Sequence, residues 1–155
     1  MDLALLFFVF LNVCAAMSGG YFTPGEWYEA LSKPSWQPPK WAFPVVWSVL
    51  YLLNAISGWM IWKSVGLEET GLLALAVYIV SLVLNALWSA IFFGMRRMRL
   101  ALLEAGALWA SVAAQIYLFW QIDSLAGMIL LPYLLWVSVA FWLNRTMLRL
   151  NPKFA

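Results

Sequence analysis

The chain has 155 residues, 65% of them hydrophobic and 10% charged, with a mean hydropathy of +0.85 and a formal net charge of +2. Soluble domains run at about 45–50% apolar and about 25% charged, so a soluble globular fold and a disordered chain are both excluded. Nine basic and seven acidic side chains are too few for a nucleic-acid binder, and zero histidines with one cysteine (Cys14) exclude disulfide scaffolds, zinc centres and histidine-ligated haem or iron.

What remains is an all-α integral membrane protein whose chemistry falls to aromatic rings, amides and backbone. A spanning helix takes about 20 mostly apolar residues. Five stretches qualify, at 3–22, 41–62, 71–93, 100–120 and 125–144. The first carries Asp2 where a signal peptide has its positive region, and its apolar run is too long for one, so a retained helix is expected. Residues 1–155 then form a single five-helix bundle with little left over for a soluble domain.

The connections are unequal. Segments 63–70 and 121–124 are short, whereas 23–40 is long and carries Trp27, Trp36 and four prolines. A long loop in so small a protein is usually functional. It opens Thr23-Pro24-Gly25-Glu26, the pattern of a capping box with proline at the first helical position, which predicts a short helix over 24–31. The proline-rich remainder should run extended across the bundle mouth. Thr70 and Asp123 are expected to cap the third and fifth spans.

Lys63 alone lies on the side of the N-terminus and the short loops. The other side holds Lys33, Lys40, Arg96, Arg97, Arg99, Arg145, Arg149 and Lys153. Basic residues favour the cytoplasmic side, so the N-terminus should lie outside and the long loop and C-terminus inside, in a bacterial cell membrane or, less in keeping with this rule, an outer membrane.

Polar groups within spans should face other helices or a cavity. At helical spacing, Asn12, Ala15, Ala16 and Gly19 share a face of span one, and Phe43, Trp47, Tyr51, Asn54 and Gly58 one of span two. The series is Ser81, Asn85, Trp88 and Phe92 in span three, Ala107, Ser111 and Gln115 in span four, and Tyr133, Trp136, Ala140 and Asn144 in span five. If these faces converge, the interior is an aromatic pocket with a few hydrogen-bonding groups. Trp47, Trp88 and Trp136 are read as lining it, and Trp27 and Trp36 as capping a ligand from the loop. Trp59, Trp62, Trp109 and Trp120 are read as interfacial or lipid-facing, and Asn12 and Asn54 as glue between helices. Ala86, Ala90 and Gly94 make a small-residue stripe on span three, which fits a homodimer seam or packing within the chain, and Gly106, Ala110 and Ala114 make a competing one. Glu104, the sole carboxylate inside a span, is expected to snorkel toward Arg97 and Arg99.

No lysine sits mid-span, no acid or histidine relay crosses the bilayer, and there is no Ser-His or Cys-His pair. Elimination therefore favours a protein that binds a flat, apolar ligand and needs no cofactor or metal.

Trp27-Tyr28 and the string Lys33-Pro34-Ser35-Trp36-Gln37-Pro38-Pro39-Lys40-Trp41-Ala42-Phe43-Pro44-Val45-Val46-Trp47 resemble the signature loop and second helix of the TspO/MBR family, the tryptophan-rich sensory and translocator proteins. Asn85-Ala86-Leu87-Trp88 with Phe92-Phe93-Gly94-Met95-Arg96 resembles that family's third helix, and Pro132-Tyr133-Leu134-Leu135-Trp136 with Leu143-Asn144 its fifth. The resemblance covers about residues 19 to 150. It implies a five-helix bundle, commonly a homodimer, that binds porphyrins such as protoporphyrin IX and drug-like hydrophobic ligands and regulates tetrapyrrole metabolism or a stress response. Carried over residue by residue, it places ligand contacts at Gly19, Trp27, Trp36, Tyr51, Asn85, Trp88, Ala140 and Leu143, beside Phe43 and Phe92 from the faces above. The resemblance also implies two alternatives: a light- and oxygen-dependent porphyrin-degrading enzyme using Trp47 and Trp136, or a tetrapyrrole or lipid transporter. Ser35 stands where some relatives have a second loop tryptophan. No tyrosine separates Leu143 from Arg149, so specific sterol binding is not expected.

Overall fold

The computed structural model describes residues 2–154, which form helices and no strand. In chain order these are α1 (Leu3–Tyr21), α2 (Glu26–Glu29), α3 (Ala42–Val65), α4 (Glu69–Ser89), α5 (Met98–Ile122), α6 (Ser124–Met128) and α7 (Leu131–Leu150). A π-turn, Ala90–Gly94, continues α4, and a 3-10 turn, Pro152–Phe154, follows α7. Among the described residues, five units are long and apolar enough to cross a membrane: Leu3–Tyr21, Ala42–Val65, Glu69–Gly94, Met98–Ile122 and Ser124–Leu150. Their outer surfaces expose large apolar side chains such as Phe7, Phe10, Val49, Leu72, Leu103 and Leu135, as suits helices that face lipid hydrocarbon.

Each helix start has a local cause. The Asp2 carboxylate caps α1 by accepting from the N–H of Ala4 at 2.9 Å and of Leu5 at 3.4 Å. It also accepts from Trp59 Nε1 at 3.0 Å, with Lys63 Nζ 3.9 Å away. The Trp59 bond above all holds the Asp2 carboxyl below the usual carboxylate range. Trp59 is therefore a tie between α3 and the start of α1, rather than lipid-facing filler. Asp123 caps α6 as expected, accepting from Leu125 and Ala126.

Two other caps differ from expectation. Thr23 bonds no helical N–H; the cap of α2 is Gly25, whose extended backbone turns its carbonyl toward Tyr28 and Glu29. The helix is thus one turn long instead of spanning 24–31. Thr70 lies inside the first turn of α4, which opens one residue earlier behind Glu68.

The fifth span also differs, being broken between α6 and α7. Pro132 lacks an N–H and its ring would collide with the carbonyl four residues back, so it is accommodated only in a first turn. The chain pauses at Ile129 and Leu130 and restarts there. Hydropathy carries no sign of such a break.

Two buried polar networks bind the bundle. Asn12 donates to the Phe8 carbonyl at 2.9 Å and to the Tyr78 hydroxyl, and accepts from Asn54 at 2.9 Å. Asn54 in turn accepts from Gln115 Nε2 at 2.9 Å, which links α1, α3, α4 and α5. Asn85 accepts from the Tyr51 hydroxyl and donates to the Tyr133 hydroxyl at 2.8 Å, linking α3, α4 and α7. Such bonds have to be satisfied internally where no water is available. Asn12 and Asn54 are indeed glue.

On α5 the buried face includes Ala101, Ala105, Leu108, Val112, Gln115 and Phe119; of the expected Ala107–Ser111–Gln115 series Gln115 is buried, Ala107 is exposed and Ser111 lies at the edge. Ser111 returns its hydroxyl to the Leu108 carbonyl at 2.8 Å, so it has no need of an interior position. Glu104 does not snorkel: it is buried, neither carboxyl oxygen has a partner, and no ion pair to Arg97 or Arg99 forms. Of the small residues on span three, Ala86 gives its carbonyl to Ser18 of α1, and Gly94 lies under the Phe22 ring, where a Cβ would come within 2.9 Å.

Candidate functional site

The inner faces of α1, α3, α4, α5 and α7 enclose a cavity of about 800 Å³. That is within the range of about 300–1,000 Å³ usual for small-molecule sites. It begins beneath the long loop and ends near Asn12 and Asn85.

Ten of the twelve residues singled out from the sequence line it: Gly19, Phe43, Trp47, Tyr51, Asn85, Trp88, Phe92, Trp136, Ala140 and Leu143. Helical spacing brings them together. Phe43, Trp47 and Tyr51 fall at steps of four on α3, as do Trp136 and Ala140 on α7, and the π-turn after Ser89 carries Phe92 onto the same side as Trp88. The rings brace one another. Trp88 stacks on Phe92 (centroids 4.9 Å apart, 16° between planes), Trp47 leans on Tyr51 at 5.6 Å, and Phe43 meets Trp136 edge to face at 5.7 Å.

Trp27 and Trp36 are not on the wall. Because α2 is a single turn, the side chains it turns inward are Tyr28 and, just beyond it, Leu31, which join Phe92, Met98, Ala101, Leu143 and Met147 in a second apolar cluster. Trp27 packs edge-on against Phe92 at 5.9 Å, behind the lining ring, and Trp36 is half exposed in a turn. From the loop the cavity instead receives Tyr28, Glu29, Gln37 and Lys40. The polar loop composition made its tryptophans conspicuous and its Gln37 and Tyr28 easy to miss.

At the mouth, Lys40 Nζ donates to Glu29 Oε1 at 2.6 Å. That bond holds the Glu29 carboxyl below the ordinary carboxylate range, whereas burial pushes the Tyr28 hydroxyl up. Lys33 is turned away, its Nζ bonded to the Glu29 and Leu31 carbonyls and lying over the Tyr28 ring. A carboxylated ligand would have to draw Lys40 from Glu29.

The loop is latched to the end of α7 through one side chain. Asn151 accepts from the Ser32 N–H at 2.9 Å and donates to the Ser32 and Met147 carbonyls at 2.8 Å each. Asn151→Ala removes all three bonds, of which the two to Ser32 hold the loop at about 1 kcal/mol each. The expected result is hydrogen exchange faster by roughly ten- to thirtyfold at the loop amides around Ser32, with span amides unchanged. Unaltered exchange there would mean that Leu31 and Tyr28 alone hold the loop.

The unmatched polar groups on wall residues are not those the sequence favours. Asn85 and Tyr51 are engaged with each other and with Tyr133. The groups with no partner are Trp88 Nε1, Trp136 Nε1, Gln37 Oε1 and both amide atoms of Asn144, all on the wall. Trp136 and Val139 also border a second, apolar hollow of about 370 Å³ between α3 and α7, so the Trp136 indole is a partition between the two spaces. Among the described residues no cluster of three or more potential ligands for a metal ion occurs.

The family model described as the TspO/MBR family matches residues 7–150. Protein CrtK of Rhodobacter capsulatus is 45% identical over 139 residues, covering 90% of this chain and 87% of that one. A tryptophan-rich sensory protein of Cereibacter sphaeroides is 42% identical over 153 residues, covering 97% and 94%. The human translocator protein is 36% identical over 137 residues, covering 86% and 81%.

Proposed function

The chain belongs to the TspO/MBR family of membrane proteins, and from that premise and the aromatic cavity we propose that it binds protoporphyrin IX or a related flat tetrapyrrole within the bundle. The observation that carries this reading is the cavity wall itself: five large rings, Phe43, Trp47, Trp88, Phe92 and Trp136, from three helices around a space of about 800 Å³. Such a space rewards a broad apolar plate, which gains both area burial and ring-to-ring contact. Lys40, once drawn from Glu29, would meet a propionate edge. With no histidine in the chain and no thiol on the wall, the axial donors left are the Met147 thioether and the neutral Tyr28 and Tyr51 phenols, all weak, so the metal-free porphyrin is expected to bind at least as tightly as its iron complex. On the charge asymmetry of the loops, the mouth under the long loop faces the cytoplasm.

The test is quenching of tryptophan fluorescence by protoporphyrin IX in detergent. Saturable quenching in the micromolar range, equal or stronger for the free base than for haem, is expected. Linear quenching without saturation would mean partition into the micelle and would end the proposal.

A second reading has one observation in its favour: Trp47 and Trp136 border the same cavity. An excited porphyrin between them would have an indole electron donor within reach, with oxygen as the oxidant. Light-driven loss of bound porphyrin that slows in Trp47→Phe and Trp136→Phe supports that reading; loss at an unchanged rate removes it.

A further inference from the structure

At one end of the bundle six cations have no counter-ion. Arg96, Arg97 and Arg99 lie at the turn into α5, and Arg145, Arg149 and Lys153 at the end of α7 and just beyond it. The ion pairs among the described residues are Lys40–Glu29 and Lys63–Asp2, and no side chain of the six enters a hydrogen bond with them. The loop lysines at the same end are already engaged, Lys40 by Glu29 and Lys33 by two backbone carbonyls. The rim is therefore compensated on the loop side and uncompensated where α5 begins and α7 ends.

The two groups form one patch. Met98 and Ala101 of α5 pack with Leu143 and Met147 of α7 in a single buried cluster. Arg97 and Arg99 flank Met98 in sequence, Arg145 and Arg149 flank Met147, and of these four all but the half-buried Arg145 are exposed. Arg96, also exposed, has a φ of +57°, a left-handed backbone conformation that strains any residue with a side chain. No ion pair or hydrogen bond of its side chain to the described residues offsets that strain, which is of the kind that collects at functional positions. On α7, Leu135, Trp142, Arg145 and Arg149 fall on one outward stripe that passes from apolar to aromatic to cationic. The Arg145 guanidinium lies over the Trp142 ring, 4.8 Å from its centre. A span leaves hydrocarbon for the headgroup layer in that order, so these cations stand at the depth of the lipid phosphates.

A guanidinium presents paired donors in a plane that matches two oxygens of a phosphate. We propose that Arg96, Arg99, Arg145 and Arg149 seat the phosphodiester headgroup of an anionic phospholipid, with its acyl chains against the Leu135–Trp142 stripe of α7. Charge complementarity selects this occupant. A zwitterionic headgroup brings its own cation beside its phosphate, and four arginines repel that cation, whereas an anionic headgroup brings none. None of the four arginines lines the main cavity, so the seat stands or falls independently of any porphyrin.

The experiment is native mass spectrometry of the full chain released from detergent containing equal amounts of phosphatidylglycerol and phosphatidylcholine with the same acyl chains. The wild type is expected to retain phosphatidylglycerol over phosphatidylcholine by about tenfold, a modest return on several cations at a headgroup. Combining Arg96→Gln, Arg145→Gln and Arg149→Gln lowers that preference to about twofold or less. Combining Lys33→Gln, Lys40→Gln and Lys63→Gln removes the same number of charges elsewhere and leaves it in place. Inorganic phosphate added to the wild type does not displace the bound phosphatidylglycerol. Equal retention of the two lipids by the wild type overturns the proposal without recourse to any variant. An equal loss in both triple variants overturns it too, because net charge alone would then set the preference. Displacement by inorganic phosphate would make a free phosphate the ligand and likewise overturns the lipid seat.

Discussion

Gly58→Leu is expected to destabilise the folded bundle strongly, and more than Gly58→Ala. Gly58 sits where α1 and α4 press on α3. A Cβ there would lie 2.8–2.9 Å from Phe8 and 2.9 Å from Tyr78, closer than carbon atoms tolerate. Neither ring has room to retreat. Phe8 and Tyr78 are buried and meet edge to face at 5.5 Å, and the Tyr78 hydroxyl is held by Asn12, at the hub of the larger polar network. Moving Tyr78 therefore breaks hydrogen bonds that no water replaces. Overpacking of a rigid core costs about 1–3 kcal/mol. Leucine, with three more carbons than alanine, is expected at or beyond the top of that range and alanine near the bottom. Thermal unfolding in detergent gives the comparison, with Gly20→Ala as control, since a Cβ at Gly20 meets nothing within 4 Å. Gly20→Ala should be neutral or slightly stabilising, because alanine is the better helix former. A Gly58→Leu protein as stable as the control would mean that α1, α3 and α4 do not meet in this way.

The periodicity of span two already put Gly58 on the face shared with Tyr51 and Asn54, and most of the site was legible by the same route. Hydropathy locates all five spans because burial in lipid requires apolar length, and helical spacing alone groups Phe43 with Trp47 and Trp136 with Ala140. Periodicity fails where a polar side chain can satisfy itself. Ser111 suggested an inward face on α5, yet its hydroxyl closes back on its own helix. It fails again where partners are set by tertiary contact. Nothing local distinguishes Asn85, whose amide is fully engaged, from Asn144, whose amide is not. Nothing in the loop composition says that Asn151, some 120 positions away, holds Ser32, or that Trp27 packs edge-on against Phe92. The break before Pro132 was visible as a proline within an apolar run, and proline in a helix interior is a sign of interruption that outranks hydropathy.

Trp136→Ala is expected to weaken protoporphyrin binding by roughly ten- to hundredfold, the largest loss for any single wall residue. Removing an aromatic anchor from a well-packed pocket costs about 1–3 kcal/mol. Trp136 contributes more than its own contact, because its indole separates the main cavity from the apolar hollow between α3 and α7. Alanine there joins the two spaces, and the ligand loses a wall as well as a ring. Trp136→Phe keeps the partition and should lose less than tenfold. Trp47→Ala should fall between the two, since Trp47 rests on Tyr51, which remains on the cavity wall, and on the buried Tyr133 behind it. Trp142→Ala provides the control: that ring is more than half exposed, stacks with Arg145, and is not on the wall, so binding should be unchanged. The order Trp136→Ala, Trp47→Ala, Trp136→Phe, Trp142→Ala, read from saturable quenching, follows from the position of each ring relative to the two hollows. Equal losses in Trp136→Ala and Trp142→Ala would instead place the porphyrin on the lipid-facing surface, where indoles at any depth meet it alike.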